Sequence, residues 1–456
     1  MQLNPSPQGL AVPSRSTAIT PTALRLALGA ATSALLASAV QAQSVPPPAA
    51  TTSNSKAPAA AQWQADAWVL QYSEADGRVK ATEPVVALRR QDGDDRITSL
   101  RLILDSLTGA SPTGAVPQPG VQTVTSPSGG SEVVIAAGSV PMDHHFKDQR
   151  QAASLSHEQG WGANRRIRLG LNASGETDFA SLGAEASLAQ DFDERHTTLS
   201  VGWAGEADYI KPVGQVQAGL QPRDAAHIVG RSRNRGVNDL LLGWSQILGR
   251  GWLMRLNLGL GTGSGYHSDP YKVLSVIDPV SGLQTGDGQV AEARPRSRRR
   301  STLYWQQKLH TGSGVLDTGL RAYRDSWGVR ATTLEAAWRH ELGRQWWIEP
   351  QLRLYRQTAA DFYKPYLVEG VDWFSAVQAP AMAAASADAR LGAFSARTLG
   401  LAAGLDLGSG RSLTARVSVY AQRQKEPGGA PGYLSGVRLT QDLKASTFLL
   451  GYTQAF

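Results

Sequence analysis

Residues 239–261 read DLLLGWSQILGRGWLMRLNLGLG. Leu240, Leu242, Trp244 and Leu248 share one parity, while Asp239, Gly243 and Ser245 take the other. After the Gly249-Arg250-Gly251 break, Trp252, Met254, Leu256, Leu258 and Leu260 fall on one face and Arg255, Asn257 and Gly259 on the other. Side chains alternate faces along a strand, so the stretch is a hairpin with one apolar and one polar face. The unit repeats to the end of the sequence, where Phe448, Leu450, Tyr452 and Phe456 share a parity. Segments of about ten residues are what tilted strands need to cross a bilayer. The pattern predicts an all-β fold: an antiparallel up-and-down transmembrane β-barrel with long extracellular loops.

Working outward, the segments fall near 66–74, 78–90, 96–105, 150–158, 163–174, 181–190 and 196–205 before this hairpin. After it they fall near 298–310, 314–324, 330–341, 344–358, 391–407, 411–422 and 446–456, for about 16 strands. In the first segment Trp68, Leu70 and Tyr72 are the apolar set in phase. Long connections without periodicity, 106–149, 206–236, 262–297 and 359–390, follow segments 3, 7, 9 and 13. The tight breaks GRG, TGSG, LGR and GSG follow segments 8, 10, 12 and 14. Bacterial barrels keep short turns on the periplasmic side and long loops outside, and this sorting by parity is what such a barrel requires. Val437, Leu439 and Leu443 are expected to extend the final hairpin beyond the membrane.

Residues 1–42 read as a secretory signal: Arg15 and Arg25, then the apolar run 24–36, then Val40-Gln41-Ala42 as a small-residue cleavage site. Residues 43–62 are rich in Pro, Ala, Ser and Thr and read as a disordered linker, leaving 63–456 as the barrel. The absence of cysteine excludes disulfides and thiolate metal sites. Export and amphipathic strands together predict a Gram-negative outer membrane.

If the apolar parity meets lipid, the other lines the lumen. It carries Arg101, Arg166, Arg168, Arg255, Lys308, Arg321, Arg339, Arg353 and Arg416, with Asp105, Asp239, Asp317, Glu335, Glu349 and Asp406. The excess of cations, in a chain of net charge +7, predicts a mildly basic lumen favouring anions. The alternative is a salt-bridge lattice that packs the barrel. The function expected is a channel or envelope-transport component. Its rival is a non-conducting barrel that binds or scaffolds periplasmic partners, and the behaviour of the 106–149 connection separates the two.

Chemistry is sparse. Asp143-His144-His145 is the best metal-like cluster, but adjacent histidines in extended chain point apart, so no metal and no cofactor are expected. His196, His310, His340 and Ser301 are scattered and no G-x-S-x-G or H-E-x-x-H motif occurs, so no enzyme is expected. The arginine-rich run 294–300 is a candidate grip for lipopolysaccharide phosphates. Expected partners are outer-membrane lipid, lipopolysaccharide and, through the C-terminal strand, the outer-membrane assembly machinery. Nucleic acid is not among them.

The stretches SLTGASP (106–112), FKDQR (146–150), HTTLSVGWAGEAD (196–208), SDPYK (268–272), YRDSWG (323–328) and YRQTAADFY (355–363) resemble a proteobacterial family of exported proteins of unknown function, held to be outer-membrane barrels. The resemblance spans roughly 64–456 and implies the barrel and the cell envelope but no catalytic residues. It also implies an envelope redox setting, with a periplasmic lipoprotein or thioredoxin-like partner. Several of these stretches lie where strands meet long loops, where they can anchor loops folded over or into the pore.

Overall fold

The computed structural model describes residues 61–93, 95–125 and 132–456; the expected signal segment 1–42 and nearly all of the expected linker 43–62 lie outside the described residues. Sixteen strands form one closed wall: β1 (Gln62–Glu74), β2 (Lys80–Asp92), β3 (Arg96–Pro112), β4 (Met142–Gly160), β5 (Arg165–Gly175), β6 (Phe179–Phe192), β7 (Thr197–Ile210), β8 (Arg233–Gly249), β9 (Trp252–Gly265), β10 (Ser297–His310), β11 (Gly314–Asp325), β12 (Arg330–Leu342), β13 (Trp346–Gln357), β14 (Phe394–Gly408), β15 (Arg411–Gln424) and β16 (Leu443–Ala455). Each strand pairs antiparallel with the next. β16 closes on β1 through a ladder from Gln64↔Ala455 to Glu74↔Ala445. The fold is an all-β, up-and-down barrel of the transmembrane kind.

The connections sort by length. Those after even strands have two to four residues, while 113–141, 211–232, 266–296, 358–393 and 425–442 all follow odd strands. One end of the barrel therefore carries tight turns and the other all the long loops.

Two faces follow from the register. Asp239 and Arg300, Glu83 and Arg150, and Glu349 and Arg416 pair across an intervening strand, and side chains two strands apart converge only on the concave side. That parity is the inner face. The outer face bears Leu240, Leu258, Leu303, Leu320, Leu334, Leu354 and Leu399, all exposed. On β9 it runs from Trp252 to Leu260, nine residues, or ~20 Å of height once tilt is included, close to the apolar band of outer-membrane barrels. Trp63, Trp161, Phe192, Trp252, Trp338 and Trp346 are exposed at the tight-turn end, the girdle such bands carry at a membrane interface.

Three details depart from the sequence reading. Trp68, Leu70 and Tyr72 face inward with Asp66 and Glu74, because their ladder partners Val85, Glu83 and Leu449 lie on the inner parity; Leu70 is buried there. Residues 106–112 and 142–149 are strand, not loop: the β3–β4 ladder continues from Ser106↔Gln149 to Pro112↔Met142. Beyond the lipid band neither face needs an apolar row, so the alternation fades while the pairing persists. Val437 and Leu439 do not extend the last hairpin. They follow a short 3-10 turn (Gly432–Gly436) and pack on Val116, Ile277 and Leu434, while Leu443 opens β16.

Leu256 faces outward beside Trp305, and Asn257 faces inward beside Tyr304. Leu256→Arg should impair folding and Asn257→Arg should not, since only the first puts charge into hydrocarbon, at ~2–4 kcal/mol near the midplane. Heat-modifiable mobility of the detergent-refolded protein reads this. Equal tolerance of both changes contradicts the assigned faces.

Candidate functional site

The long connections fold together. Residues 273–277 (VLSVI) form a strand buried along its whole length, paired with 284–291 and, in parallel, with 367–368. A strand covered on both faces reads as an unbroken apolar run rather than an alternation. Leu220, Leu274, Val276, Val290, Leu367, Trp373 and Ala385 make one core from three separate connections. The 113–141 connection joins it through Val273 N–H to Thr113 O (3.0 Å) and Val116 N–H to Ser275 Oγ (3.1 Å). Gly114 sits at φ 96°, and a Cβ there would lie 2.4 Å from Val273 O, so only glycine permits this approach. The result is a folded layer with its own hydrophobic core.

That layer is tied to the wall around its circumference. Lys272 donates through Nζ to Pro112 O, the last residue of β3. Tyr271 Oη donates to Asp178 Oδ2 (2.7 Å), between β5 and β6. His267 stands edge-on to Trp327, between β11 and β12, at 5.5 Å. Gln357 of β13 donates to the carbonyls of Arg390 (2.9 Å) and Gly392 (2.8 Å), and Gln424 of β15 donates to Ala389 O (3.0 Å). Asp325 anchors the β11–β12 turn: Oδ1 accepts from Trp327 N and Val329 N (3.0 Å each), and Oδ2 pairs with Arg298. β3 and β11 lie eight strands apart in a ring of sixteen, so a layer bonded at both crosses the mouth.

Within the layer lies a buried charge cluster. Arg294 reaches Glu292 (2.6 Å) and Asp388 (2.8 Å), Arg390 pairs with Asp388 and reaches Asp269 (3.5 Å), and Ser386 Oγ donates to Glu292. Burial pushes the Glu292 carboxyl up despite Arg294, whereas Arg390 and Arg294 overcome burial and hold Asp388 well below the carboxylate range. Burial, reinforced by Arg235, lowers His267 to about 4. Among the described residues no group of three His, Asp or Glu is placed to hold a metal; the side chains of Asp143, His144 and His145 lie outside the description.

Below the layer, the register puts fourteen of the charged residues expected in the lumen, and the fifteenth, Asp406, on the inner face. Eleven of the fourteen form ion pairs: Asp105–Arg150 (3.8 Å), Arg166–Asp191 (2.5 Å), Arg168–Glu185 (3.3 Å), Asp239–Arg300 (2.9 Å), Lys308–Asp317 (3.3 Å), Arg353–Glu335 (3.1 Å), and Arg339 and Arg416 sharing Glu349 (3.3 and 3.8 Å). Arg255 bonds Ser245 Oγ (3.3 Å), Arg321 lies over the Tyr304 ring at 5.0 Å, and Arg101 faces Ser154 across the ladder. The same face also carries Asp66, Glu83, Glu158, Glu185, Asp191, Glu206 and Asp208, which the sequence reading left out. Set against Arg150, Arg235, Arg298 and Arg300 on the same parity, these leave acids and bases about equal among the described residues of the inner face, without the expected basic excess. The arginine run 294–300 is not one patch either. Arg294 is buried in the layer, Arg298 and Arg300 pair inward with Asp325 and Asp239, and Arg299 points outward.

Residues 25–454 match the family described as "Protein of unknown function (DUF3570)". The chain belongs to that family. No curated protein matches it. Among solved structures it is similar to the ferric enterobactin receptor PfeA of Pseudomonas aeruginosa (mutant Q482A, with enterobactin bound), at 10% identity and TM-score 0.41, covering 87% of this chain and 61% of that one. It is also similar to the Pseudomonas aeruginosa outer membrane protein opdK, at 9% identity and TM-score 0.37, covering 87% and 99%. A bacterial polysaccharide outer membrane secretin matches at 8% identity and TM-score 0.42, covering 88% and 100%. The chain thus spans about three fifths of the enterobactin receptor's length. In this DUF3570 member, SDPYK, YRDSWG and YRQTAADFY supply Asp269, Tyr271, Lys272, Asp325, Trp327, Gln357 and Phe362, the contacts that fix the layer.

Two outcomes follow. Arg294→Met strands Glu292 and Asp388 in a buried site, where losing one partner costs ~3–5 kcal/mol. Limited proteolysis should then cut within 266–296 or 358–393 while the wall stays folded, and an unchanged digestion pattern contradicts the role given to this cluster. His267, with its pKa below the unfolded value near 6.5, favours the closed layer fully above that pH. The contribution falls away as pH drops from about 6.5 to about 4. Protease accessibility of the layer should rise across that window, and His267→Gln should flatten the rise.

Proposed function

We propose that this protein is an outer-membrane barrel with its long loops outside the cell, and that the loop layer gates a water-filled lumen lined by the inner-face charges. The observation that carries this reading is the layer's attachment to opposite sides of the mouth, Pro112 of β3 and Trp327 beyond β11. An open pore has no use for a core of Leu274, Val276 and Trp373 across its entrance, and a packed scaffold has no use for half-exposed ion pairs such as Arg168–Glu185 beneath it. Arg166 and Arg168 keep 41% and 49% of their side-chain surface exposed, which supports solvated space there. The apolar outer band and its tryptophan girdle support the membrane placement. The activity proposed is passive or gated passage of small polar solutes, without catalysis. The closed β1–β16 seam is the segment the assembly machinery would handle last.

The balanced inner face sets the expected selectivity. Rings of one sign select ions in pores, and here each sign offsets the other. In planar bilayers the folded wild type should show little steady conductance. Replacing 270–292 by a short Gly/Ser linker should open a conductance with only weak ion preference, shrinking further as the Debye length falls from ~10 Å at 0.1 M to ~3 Å at 1 M salt. If the linker variant folds and still does not conduct, the barrel is filled below the layer and serves a binding or scaffolding role.

A further inference from the structure

The outer face is not apolar all the way round at the loop end. From β11 to β16 it carries six exposed cations: Arg324, Arg330, Arg356, Arg397, Arg423 and Lys444. All lie on the parity of Leu320, Leu334, Leu354 and Leu399, just above those rows. Arg324 and Arg330 face each other across a ladder rung. The next rung reads Ala322, Thr332, Arg356, Ser395, Arg423, and the one after it ends Leu354, Arg397, Ala421, Lys444. Stepping down one rung every two or three strands keeps the cations at one height in a barrel of tilted strands. They form a ledge at the membrane edge. An outward arginine is tolerated near an interface but costs ~2–4 kcal/mol at the midplane, so the ledge also fixes where the hydrocarbon ends.

None of the six forms an ion pair among the described residues; Arg324 Nε instead donates to Ser301 Oγ at 3.1 Å. On β7–β9 the same zone is neutral, with Ala207, Tyr209, Asn234, Asn238 and Thr262, while Arg299 of β10 and the separate lysines Lys80 of β2 and Lys147 of β4 also point outward near this end. An open groove of about 740 Å³ runs through the ledge, its floor Leu258, Leu303 and Ala322 and its rim Arg324, Arg330 and Arg356. Ser301, Thr332 and Thr358 stand between the arginines.

We propose that this groove is a binding site for a diphosphorylated glycolipid of the outer leaflet, an inference that rests on the membrane placement above. Arginine forks match phosphate oxygens, and the facing Arg324–Arg330 pair and the Arg356–Arg423 rung give two separate phosphate seats. The interleaved hydroxyls suit sugar hydroxyls and amides, and the leucines beneath take the acyl chains. A zwitterionic phospholipid brings an ammonium that six cations repel, and a singly charged anionic lipid fills one seat. The site places the lipid beside β11–β13, whose ends carry Asp325, Trp327 and Gln357, the residues that anchor the loop layer.

Native mass spectrometry of the detergent-folded protein tests this with diphosphorylated lipid A, its dephosphorylated form and phosphatidylglycerol as probes. The wild type should retain lipid A, and the triple variant Arg324→Gln, Arg330→Gln, Arg356→Gln should lose retention by roughly tenfold or more, the weight of at least one charge-assisted contact. Arg168→Gln, on the inner face, should leave it unchanged. Equal retention of the dephosphorylated form or of phosphatidylglycerol overturns the proposal, as does lipid A binding that survives the triple change. Heat-modifiable mobility is read on every sample. A wild type without a folded, heat-shifted form refutes the membrane placement, whereas folded protein without lipid A selectivity refutes this site alone.

Discussion

A wall standing in hydrocarbon can leave no backbone amide or carbonyl unpaired, and the β1–β16 ladder is where this chain meets that constraint. Trp63 N–H to Phe456 O (2.8 Å) and the rungs from Gln64↔Ala455 to Glu74↔Ala445 remove the last free edge. Once the ring is closed, strand parity becomes inside against outside for the whole barrel. The leucine rows are then committed to the exterior, the ion-pair lattice to the interior, and the long connections to one end. The loop layer is a consequence of this geometry. Five long connections leaving one rim of a ring have no lipid to meet, and their apolar residues bury against one another instead.

The interior shows how charges are kept where water is scarce. Along the wall, pairs such as Arg353–Glu335 and Lys308–Asp317 remain partly solvated, and pairs of that kind are individually weak. In the layer the Glu292–Arg294–Asp388–Arg390 cluster is buried, so its members depend on one another strongly. The two regions therefore respond differently to change. Removing a wall arginine alters the local field, while removing Arg294 releases a folded unit.

Much of the wall was legible from the sequence because a lipid-facing strand must alternate. Leu240, Leu242 and Trp244, or Leu352 and Leu354, announce both the strand and its face. The reading failed where that pressure is absent. Trp68 and Leu70 look lipid-facing, yet they fill the interior against Gly451 and Leu449; a Cβ on Gly451 would lie 2.2 Å from Trp68. Residues 106–112 rise beyond the lipid band and alternate no longer. Asp191 and Glu206 lie one residue past the segment ends read at 190 and 205, and Glu185 sits between Ala184 and Ala186, where no leucine row marks the outward parity. The layer was the least legible part. Its core draws Leu220, Val290, Leu367 and Ala385 from separate connections, and only the VLSVI run at 273–277 signals a doubly covered strand.

The central claim is that the loops form one cooperative layer seated across the mouth. Hydrogen exchange of the protein in lipid nanodiscs tests it most directly. The amides of 273–277 and 284–291 should exchange slowly, near the rate of the wall strands, and Arg294→Met should release both segments together while β8 and β9 stay protected. Exchange of these amides at the rate of exposed loops in the unmodified protein would contradict the account.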